Sequence, residues 1–146
     1  MRVLVVYDTF YGNTEKIARG IGSAIVGEVR VVRASEVDAS GLESVDLLIV
    51  GSPTQGGRPT QPIQDFIARV PESIVKGIKV AAFDTRYTGR FVKLFGFAGE
   101  RIADSLVAKG GTLVSPAEAF FVTGKKGPIK EGELERAASW ARGIAR

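Results

Sequence analysis

The chain has 146 residues, a mass of 15.6 kDa, a formal net charge of +4 and a sequence pI of about 9.6, which suits one basic domain. It contains no cysteine and no histidine, so disulfides, thiolate nucleophiles, Cys/His zinc sites and the usual Ser-His-Asp and Cys-His arrangements are excluded. If the chain is an enzyme, we therefore expect its reactive chemistry to come from a bound cofactor.

The basic charges are scattered along the chain. The one compact cluster is Lys125-Lys126, with Lys130 close by, and we interpret it as a solvated face. No apolar run approaches the roughly 18 residues that are needed to cross a membrane. We therefore predict no nucleic-acid binding, no membrane insertion, a cytoplasmic location, and a monomer or weak dimer.

Segments with strand and helix patterns alternate along the whole chain. Continuous apolar or β-branched runs predict strands, and apolar residues at spacings of three and four predict helices. The predicted elements are a strand at 2–7, a helix at 14–26, strands at 28–33 and 47–51, a helix at 61–70, a strand at 79–84, a helix at 90–108, a strand at 112–115 that resumes at 119–122, and a helix at 131–144. The last helix is predicted to bury Leu134, Ala137, Ala138 and Ala141, and Trp140 and Phe97 are expected to pack in the interior.

Apolar strands separated by helices predict a parallel sheet that is covered on both faces. Five strands at this spacing fit one α/β domain over residues 1–146, a three-layer, doubly wound sheet of order 2-1-3-4-5. In such sheets the ligand lies beyond the carboxyl ends of the strands, at the switch point of the strand order. The loops after strands one, three and four are therefore the expected binding loops.

The first of these loops runs directly into a helix and is rich in hydroxyl and amide groups. It consists of Thr9, Phe10, Tyr11, Gly12, Asn13 and Thr14. Free backbone N–H groups and the helix dipole favour an anion there, and because the loop has no Lys or Arg, we expect the N–H groups to carry most of the binding of a phosphate. An ordinary capped turn is the alternative. The loop is neither a Walker A loop nor a dinucleotide fingerprint, since the nearest G-x-G, Gly20 and Gly22, lies in or near the end of the first helix.

The other two loops carry groups that suit a flat heterocycle. The loop after strand three is long, and it offers backbone groups at Pro53, Thr54, Gln55, Gly56 and Gly57. A flexible surface loop is the alternative. The loop after strand four presents Asp84, Thr85, Arg86 and Tyr87. Here Tyr87 is a candidate for stacking on a ring, Arg86 for pairing with an anion or an electron-rich ring, and Asp84 for capping its own loop or meeting the ring edge.

The three loops together resemble those of the flavodoxin family. The segment TFYGNTEKIA is similar to the phosphate loop T/S-x-T-G-x-T, GSPTQGG resembles the second flavin loop, and FDTRYTG occupies the place of the third. The resemblance covers essentially the whole chain and is to the short-chain type, because the family's insertion in the fifth strand is absent. It implies FMN, with the phosphate at residues 9–14 and the ring between the second and third loops. It also implies electron transfer to and from redox partner proteins, by one or two electrons, without a catalytic side chain.

Three features depart from the usual flavodoxin pattern. Tyr11 replaces a Thr in the first loop, as in the flavodoxin domains of flavodiiron proteins, and the second loop lacks a Trp or Tyr for stacking. The third is charge: electron-carrier flavodoxins are typically acidic, whereas Arg58, Arg86 and Arg90 lie in or beside these loops. Because positive charge favours an anionic reduced flavin, we expect a higher second reduction potential than in an acidic flavodoxin.

Other functions remain open from the sequence. An FMN-dependent NAD(P)H:quinone-type reductase would use the same loops, although the chain has no evident nicotinamide domain, which favours an electron carrier. A flavodoxin-like interaction module that has lost FMN is a second alternative. A phosphoacceptor receiver domain is disfavoured, because strand three ends in Gly51-Ser52-Pro53 instead of an aspartate.

Overall fold

The centre of the fold is a parallel sheet with helices on both of its faces. The computed structural model describes residues 1–38, 42–87 and 97–146. The strands are β1 (Arg2–Tyr7), β2 (Glu28–Arg33), β3 (Leu47–Pro53), β4 (Lys79–Tyr87), β5 (Thr112–Leu113) and β6 (Glu118–Val122). The helices are α1 (Asn13–Ala24), α2 (Gln61–Arg69), α3 (Glu72–Val75), α4 (Ala98–Ala108) and α5 (Glu133–Ile144), with a 3-10 turn at Ala34–Glu36. The predicted helix at 90–108 is confirmed from residue 98 onward, and residues 90–96 lie outside the described residues.

The strand order confirms the predicted doubly wound α/β class. The sheet runs β2-β1-β3-β4-β5, and the strands pair in parallel throughout this order. The fifth position is shared by two short strands, because β5 pairs with the start of β4 and β6 pairs with its end. Pro116 lies between β5 and β6, and a proline has no N–H to donate to a strand neighbour, which explains the break.

Two apolar layers hold the helices against the sheet. On one face, α2 and α4 pack Phe66, Ile102 and Leu106 against alternate residues of β1, β3 and β4. On the other face, α1 and α5 pack against a T-shaped cluster of Phe83, Phe120 and Trp140, with ring centroids 5.9–6.2 Å apart. The predicted packing role of Trp140 is confirmed. Among the described residues, no helix is both long and apolar enough to span a bilayer.

Some predicted boundaries and faces are wrong. β4 continues to Tyr87, because its last residues pair with β6, so Thr85, Arg86 and Tyr87 belong to a strand and not to a loop. β3 likewise continues to Pro53. On α5, Leu134 is 44% exposed instead of buried, since the helix faces the sheet through Ala137 and Ala141.

A buried carboxylate joins β6 to α5. The side chain of Glu133 accepts the N–H of Phe121 at 2.8 Å and forms an ion pair with Arg136 at 2.7 Å. Arg136 also pairs with Glu118 at 2.6 Å, donates to the carbonyl of Ala119 and lies over the ring of Phe120. The hydrogen bond from Arg136 lowers the pKa of Glu133, and the N–H of Phe121 lowers it further. The charged form of Glu133 therefore stabilises the end of β6.

We expect Glu133→Gln to lower the free energy of unfolding by about 1–2 kcal/mol at pH 7, because a charge-assisted pair becomes a neutral one. The pKa of Glu133 is lower in the folded state, so its contribution is complete above the unfolded value of about 4.3 and is lost as the pH falls through the folded pKa. Urea unfolding at pH 7 and near pH 3 measures this, with exposed Glu135→Gln as the control. If Glu133→Gln lowered the free energy of unfolding equally at both pH values, the stabilising role of the ionised Glu133 carboxylate would be contradicted.

Candidate functional site

The first loop forms an open turn at the N-terminus of α1. Gly12 has a φ of +90° and is the N-cap residue, and none of the described side chains caps the helix. The hydroxyl oxygen of Thr9 accepts the N–H of Gly12 at 2.8 Å, which leaves the hydroxyl hydrogen of Thr9 available to a ligand. A Cβ atom at Gly12 would meet no described atom within 4 Å. The backbone of this loop is therefore accessible, and its helix N–H groups are not satisfied by a cap.

A pair of buried hydroxyls connects the first loop to the end of β4. Thr14 is 1% exposed, and its hydroxyl oxygen lies 2.7 Å from that of Thr85. One hydroxyl must donate to the other, so when Thr85 donates, the hydrogen of Thr14 is free for a further acceptor. The predicted candidates Thr14 and Thr85 therefore meet, although they are 71 positions apart in the sequence.

The first loop is also held from β2, by a residue that sequence reasoning missed. Arg33 forms an ion pair with the buried carboxylate of Asp8 at 3.2 Å and donates to the carbonyl of Thr9 at 2.8 Å. In the register of β1 and β2, Arg33 lies beside Tyr7. The predicted strand order alone would have placed the ends of these two strands side by side, so that signal was present in the sequence.

The second loop is a tight hairpin and not a flexible loop. Gln55 and Arg58 exchange two backbone hydrogen bonds of 2.9 Å each. Gly56 and Gly57 between them have φ values of +55° and +79°, which two-residue turns of type I′ require and glycine supplies without strain. Thr54 is held on both sides, because its N–H donates to the carbonyl of Thr85 and its hydroxyl accepts the N–H of Ala98, at 3.0 and 3.1 Å.

The charged residues at the end of β4 bind each other. Asp84 is fully buried and accepts two hydrogen bonds from the guanidinium of Arg86, at 2.8 and 2.7 Å, and one from the N–H of Gly99 at 2.8 Å. The guanidinium also stacks on the ring of Phe97, 3.3 Å from its centroid. Phe97 is therefore the cover of this ion pair and not part of a helix core. Arg86 brings no net charge to the site, contrary to the sequence-based expectation, because Asp84 neutralises it.

Three aromatic side chains at the same end of the sheet remain exposed. Phe10, Tyr11 and Tyr87 are 53%, 47% and 47% exposed. Phe10 and Tyr11 belong to the first loop, and Tyr87 is the last residue of β4. Exposed aromatic rings offer surface on which a planar ligand can stack, and Tyr87 is the stacking candidate that the sequence analysis named.

The remaining predicted residue of the first loop, Asn13, contacts a distant segment. Its side-chain amide donates to the carbonyl of Lys126 at 3.2 Å. Sequence reasoning assigned that amide to a ligand and treated the lysine cluster as a solvated face. The structure brings the two together because the segment after β6 folds back over the start of α1.

The residues present fit a phosphorylated flavin. The uncapped N-terminus of α1, the spare hydroxyl hydrogens of Thr9 and Thr14 and the open backbone at Gly12 suit a phosphate. The glycine hairpin and the exposed aromatic side chains lie beyond the ends of neighbouring strands, where a planar ring would bind. The structure thus brings together the predicted residues, with Asp84 and Arg86 turned into an internal ion pair.

Known proteins show the same architecture. An archaeal flavodoxin superposes with a TM-score of 0.84 at 23% identity, covering 99% of this chain and 96% of its own. Flavodoxin 1 from Bacillus cereus gives 0.80 at 21% identity, with 99% and 97% covered. The Flv1 flavodiiron core from Synechocystis sp. PCC6803 gives 0.74 at 18% identity, covering 99% of this chain but only 35% of its own. At these identities the likeness establishes the fold.

Sequence comparison establishes the family. Curated protein sequences gave no match. The sequence model of the flavodoxin family, however, matches residues 5–140, which includes all three binding loops. Members of this family bind FMN and transfer electrons to partner proteins. With the strand order in agreement, the chain belongs to the flavodoxin family of FMN-binding electron-transfer proteins.

Proposed function

We propose that this flavodoxin is a one-domain electron carrier that binds the phosphate of FMN on the first loop and its ring between the second loop and the end of β4. When bound, FMN accepts and releases one or two electrons. The observation that carries the proposal is the open, uncapped N-terminus of α1, with the hydroxyls of Thr9 and Thr14 beside it, of which Thr9 accepts its loop hydrogen bond and keeps a hydrogen to donate. The chain's own role is to bind and orient the cofactor, since it has no Cys or His for proton or group transfer.

The phosphate-binding roles follow from the hydrogen bonds that the loop already makes. Gly12 donates to Thr9, which fixes the Thr9 hydroxyl oxygen and leaves its hydrogen free. The hydroxyls of Thr14 and Thr85 share one hydrogen bond, and when Thr85 is its donor the hydrogen of Thr14 is free for the ligand. The ion pair of Arg33 with Asp8 holds the backbone just before the loop. These internal contacts restrict the loop, so less conformational freedom is lost when the phosphate binds.

The ring site combines backbone groups with aromatic surface. The N–H groups of Gly56 and Gly57 have no backbone partner among the described residues, so they can bind the polar edge of a ring. Tyr87 leaves β4 on the face that also carries Thr85, next to the phosphate loop. The exposed rings of Phe10 and Tyr11, on the first loop, offer further stacking surface. Gln55 is held in the hairpin and sets the position of the glycine turn.

The extent of the structural likeness supports a carrier over a reductase. The match covers 96% and 97% of the lengths of two flavodoxins. The donor and acceptor would then be separate redox proteins that approach the exposed ring. The cytoplasmic location, the lack of nucleic-acid binding and the monomeric or weakly dimeric state stay predictions of the sequence. Turnover of NADH or NADPH with a quinone by the isolated protein would favour the reductase.

Thr14→Val tests the phosphate site, because valine keeps the volume of threonine but removes the hydroxyl. We expect the affinity for FMN to fall about tenfold, which corresponds to one hydrogen bond to a charged group. The affinity for riboflavin, which lacks the phosphate, should stay unchanged. Fluorescence titration of the apoprotein measures both, and exposed Thr112→Val on β5 is the matched control. An equal loss for both flavins would show that Thr14 acts on the fold and not on the phosphate.

Arg58→Gln tests the contribution of exposed charge to the redox potential. Arg58 closes the glycine hairpin and is exposed, so its removal should lower the second reduction potential of the bound flavin by about 20–40 mV at low salt. The shift should shrink at high salt because exposed charges are screened. Potentiometric titration of the holoprotein checks this against Arg142→Gln in the last turn of α5, at the opposite end of the sheet. If the second reduction potential shifted equally in the two variants, the effect would come from the total charge of the protein and not from the position of Arg58 beside the flavin.

A further inference from the structure

The segment after β6 forms a compact hairpin at residues 123–130. The N–H of Thr123 donates to the carbonyl of Pro128 at 2.9 Å, and the N–H of Gly127 donates to the carbonyl of Gly124 at 3.0 Å. A further bond of 2.9 Å, from the N–H of Lys130 to a carbonyl of β6, closes the base. The hairpin therefore has a defined shape of its own, and it follows the carboxyl end of a strand, where the three flavin loops also lie.

This hairpin is fixed against the first residue of α1. The side-chain amide of Asn13 donates to the carbonyl of Lys126, and Asn13 is only 9% exposed. Gly127 has a φ of +97°, and a Cβ atom on it would lie 2.7 Å from the amide oxygen of Asn13. Only glycine allows this approach. The tip of the hairpin is thus fixed against the first loop by a hydrogen bond and by close packing.

The ammonium of Lys126 lies at the phosphate loop as a result. Its Nζ atom is 5.9 Å from the ring centroid of Tyr11, within the range of a cation–π contact. Lys126 forms no ion pair with any described carboxylate. Two of the described arginines near the loops are neutralised, Arg33 by Asp8 and Arg86 by Asp84. Lys126 is therefore an exposed positive charge beside Tyr11 of the first loop, with no carboxylate partner among the described residues.

We propose that Lys126 is a cofactor-binding residue that supplies the counter-charge for the phosphate of FMN, and that the 123–130 hairpin is a fourth cofactor loop. The inference rests on the proposed function, because it needs the phosphate on the first loop. A phosphate monoester carries between one and two negative charges at pH 7, and the first loop itself contains no cation. A cation from a distant part of the chain makes the affinity depend on the phosphate charge and on the salt concentration.

The test is a fluorescence titration of the apoprotein with FMN and with riboflavin, at about 20 mM and about 500 mM salt. We expect Lys126→Gln to weaken FMN binding about threefold to tenfold at low salt, to leave riboflavin binding unchanged, and to approach the parent protein at high salt. Lys126→Arg keeps the charge and should retain most of the affinity. The matched control is Lys79→Gln, which removes an exposed lysine at the start of β4, at the other end of the sheet.

The other possible results of these titrations contradict either the role of Lys126 or the proposed function. If the parent protein binds FMN and Lys126→Gln binds it equally well at low salt, Lys126 is not a counter-charge and the proposed function stands. If Lys126→Gln and Lys79→Gln weaken FMN equally, the effect is one of total charge and the inference fails. If riboflavin binding falls as much as FMN binding, Lys126 acts on the ring site or on the fold. If the parent protein binds neither flavin, the proposed function fails together with the inference.

Discussion

One buried carboxylate organises the end of the sheet that carries the site. Asp84 is fully inaccessible to solvent, and a charged group in that position is costly unless donors surround it. The guanidinium of Arg86 and the N–H of Gly99 supply those donors. A Cβ atom at Gly99 would lie 2.9 Å from the carboxylate, so a glycine is needed where α4 approaches β4. This requirement fixes the start of α4 and folds Arg86 back against its own strand.

The same ion pair determines what the strand offers to a ligand. Side chains alternate along β4, so with Asp84 and Arg86 on the α4 face, Thr85 and Tyr87 must lie on the α1 face. There the hydroxyl of Thr85 meets Thr14 of the phosphate loop, while its carbonyl accepts the N–H of Thr54 from the second loop. The first and second candidate binding loops are therefore connected through Thr85 of β4.

The sequence was sufficient wherever the determining residues are neighbours in the chain or in the strand pattern. The apolar runs defined the strands and their order, and the hydroxyl-rich turn before a helix identified the phosphate loop. The ends of β3 and β4 were placed too early, because Ser52 and Thr85 look like loop residues until the pairing with adjacent strands is known. Leu134 was misplaced because the small residues of α5 set which face approaches the sheet.

Electrostatic partners were harder to predict, because a charge acts through distance and not through sequence position. Arg86 was expected to bind a ligand, yet its partner is two residues away and buried, and burial cannot be deduced from the letters alone. Lys126 is exposed, as the sequence indicated, but its position beside the first loop was not predicted, because its carbonyl accepts a hydrogen bond from Asn13, 113 positions earlier in the chain. In both cases the role of the charged residue depends on the group that lies next to it. That neighbour can be identified only in the folded structure.

The net charge of the chain is consequently a poor guide to the electrostatic potential at the proposed flavin site. Two of the arginines near the loops are cancelled by carboxylates that are almost completely buried, Asp8 and Asp84. Arg58 and Lys126 have no carboxylate partner among the described residues, and both are exposed and lie on hairpins. Exposed charges are screened over about 10 Å at 0.1 M salt, whereas buried pairs are screened much less. The buried ion pairs, which salt screens little, therefore hold the loops in place. The exposed charges set the electrostatic potential around the proposed cofactor site, and dissolved ions or an approaching redox partner can change that potential.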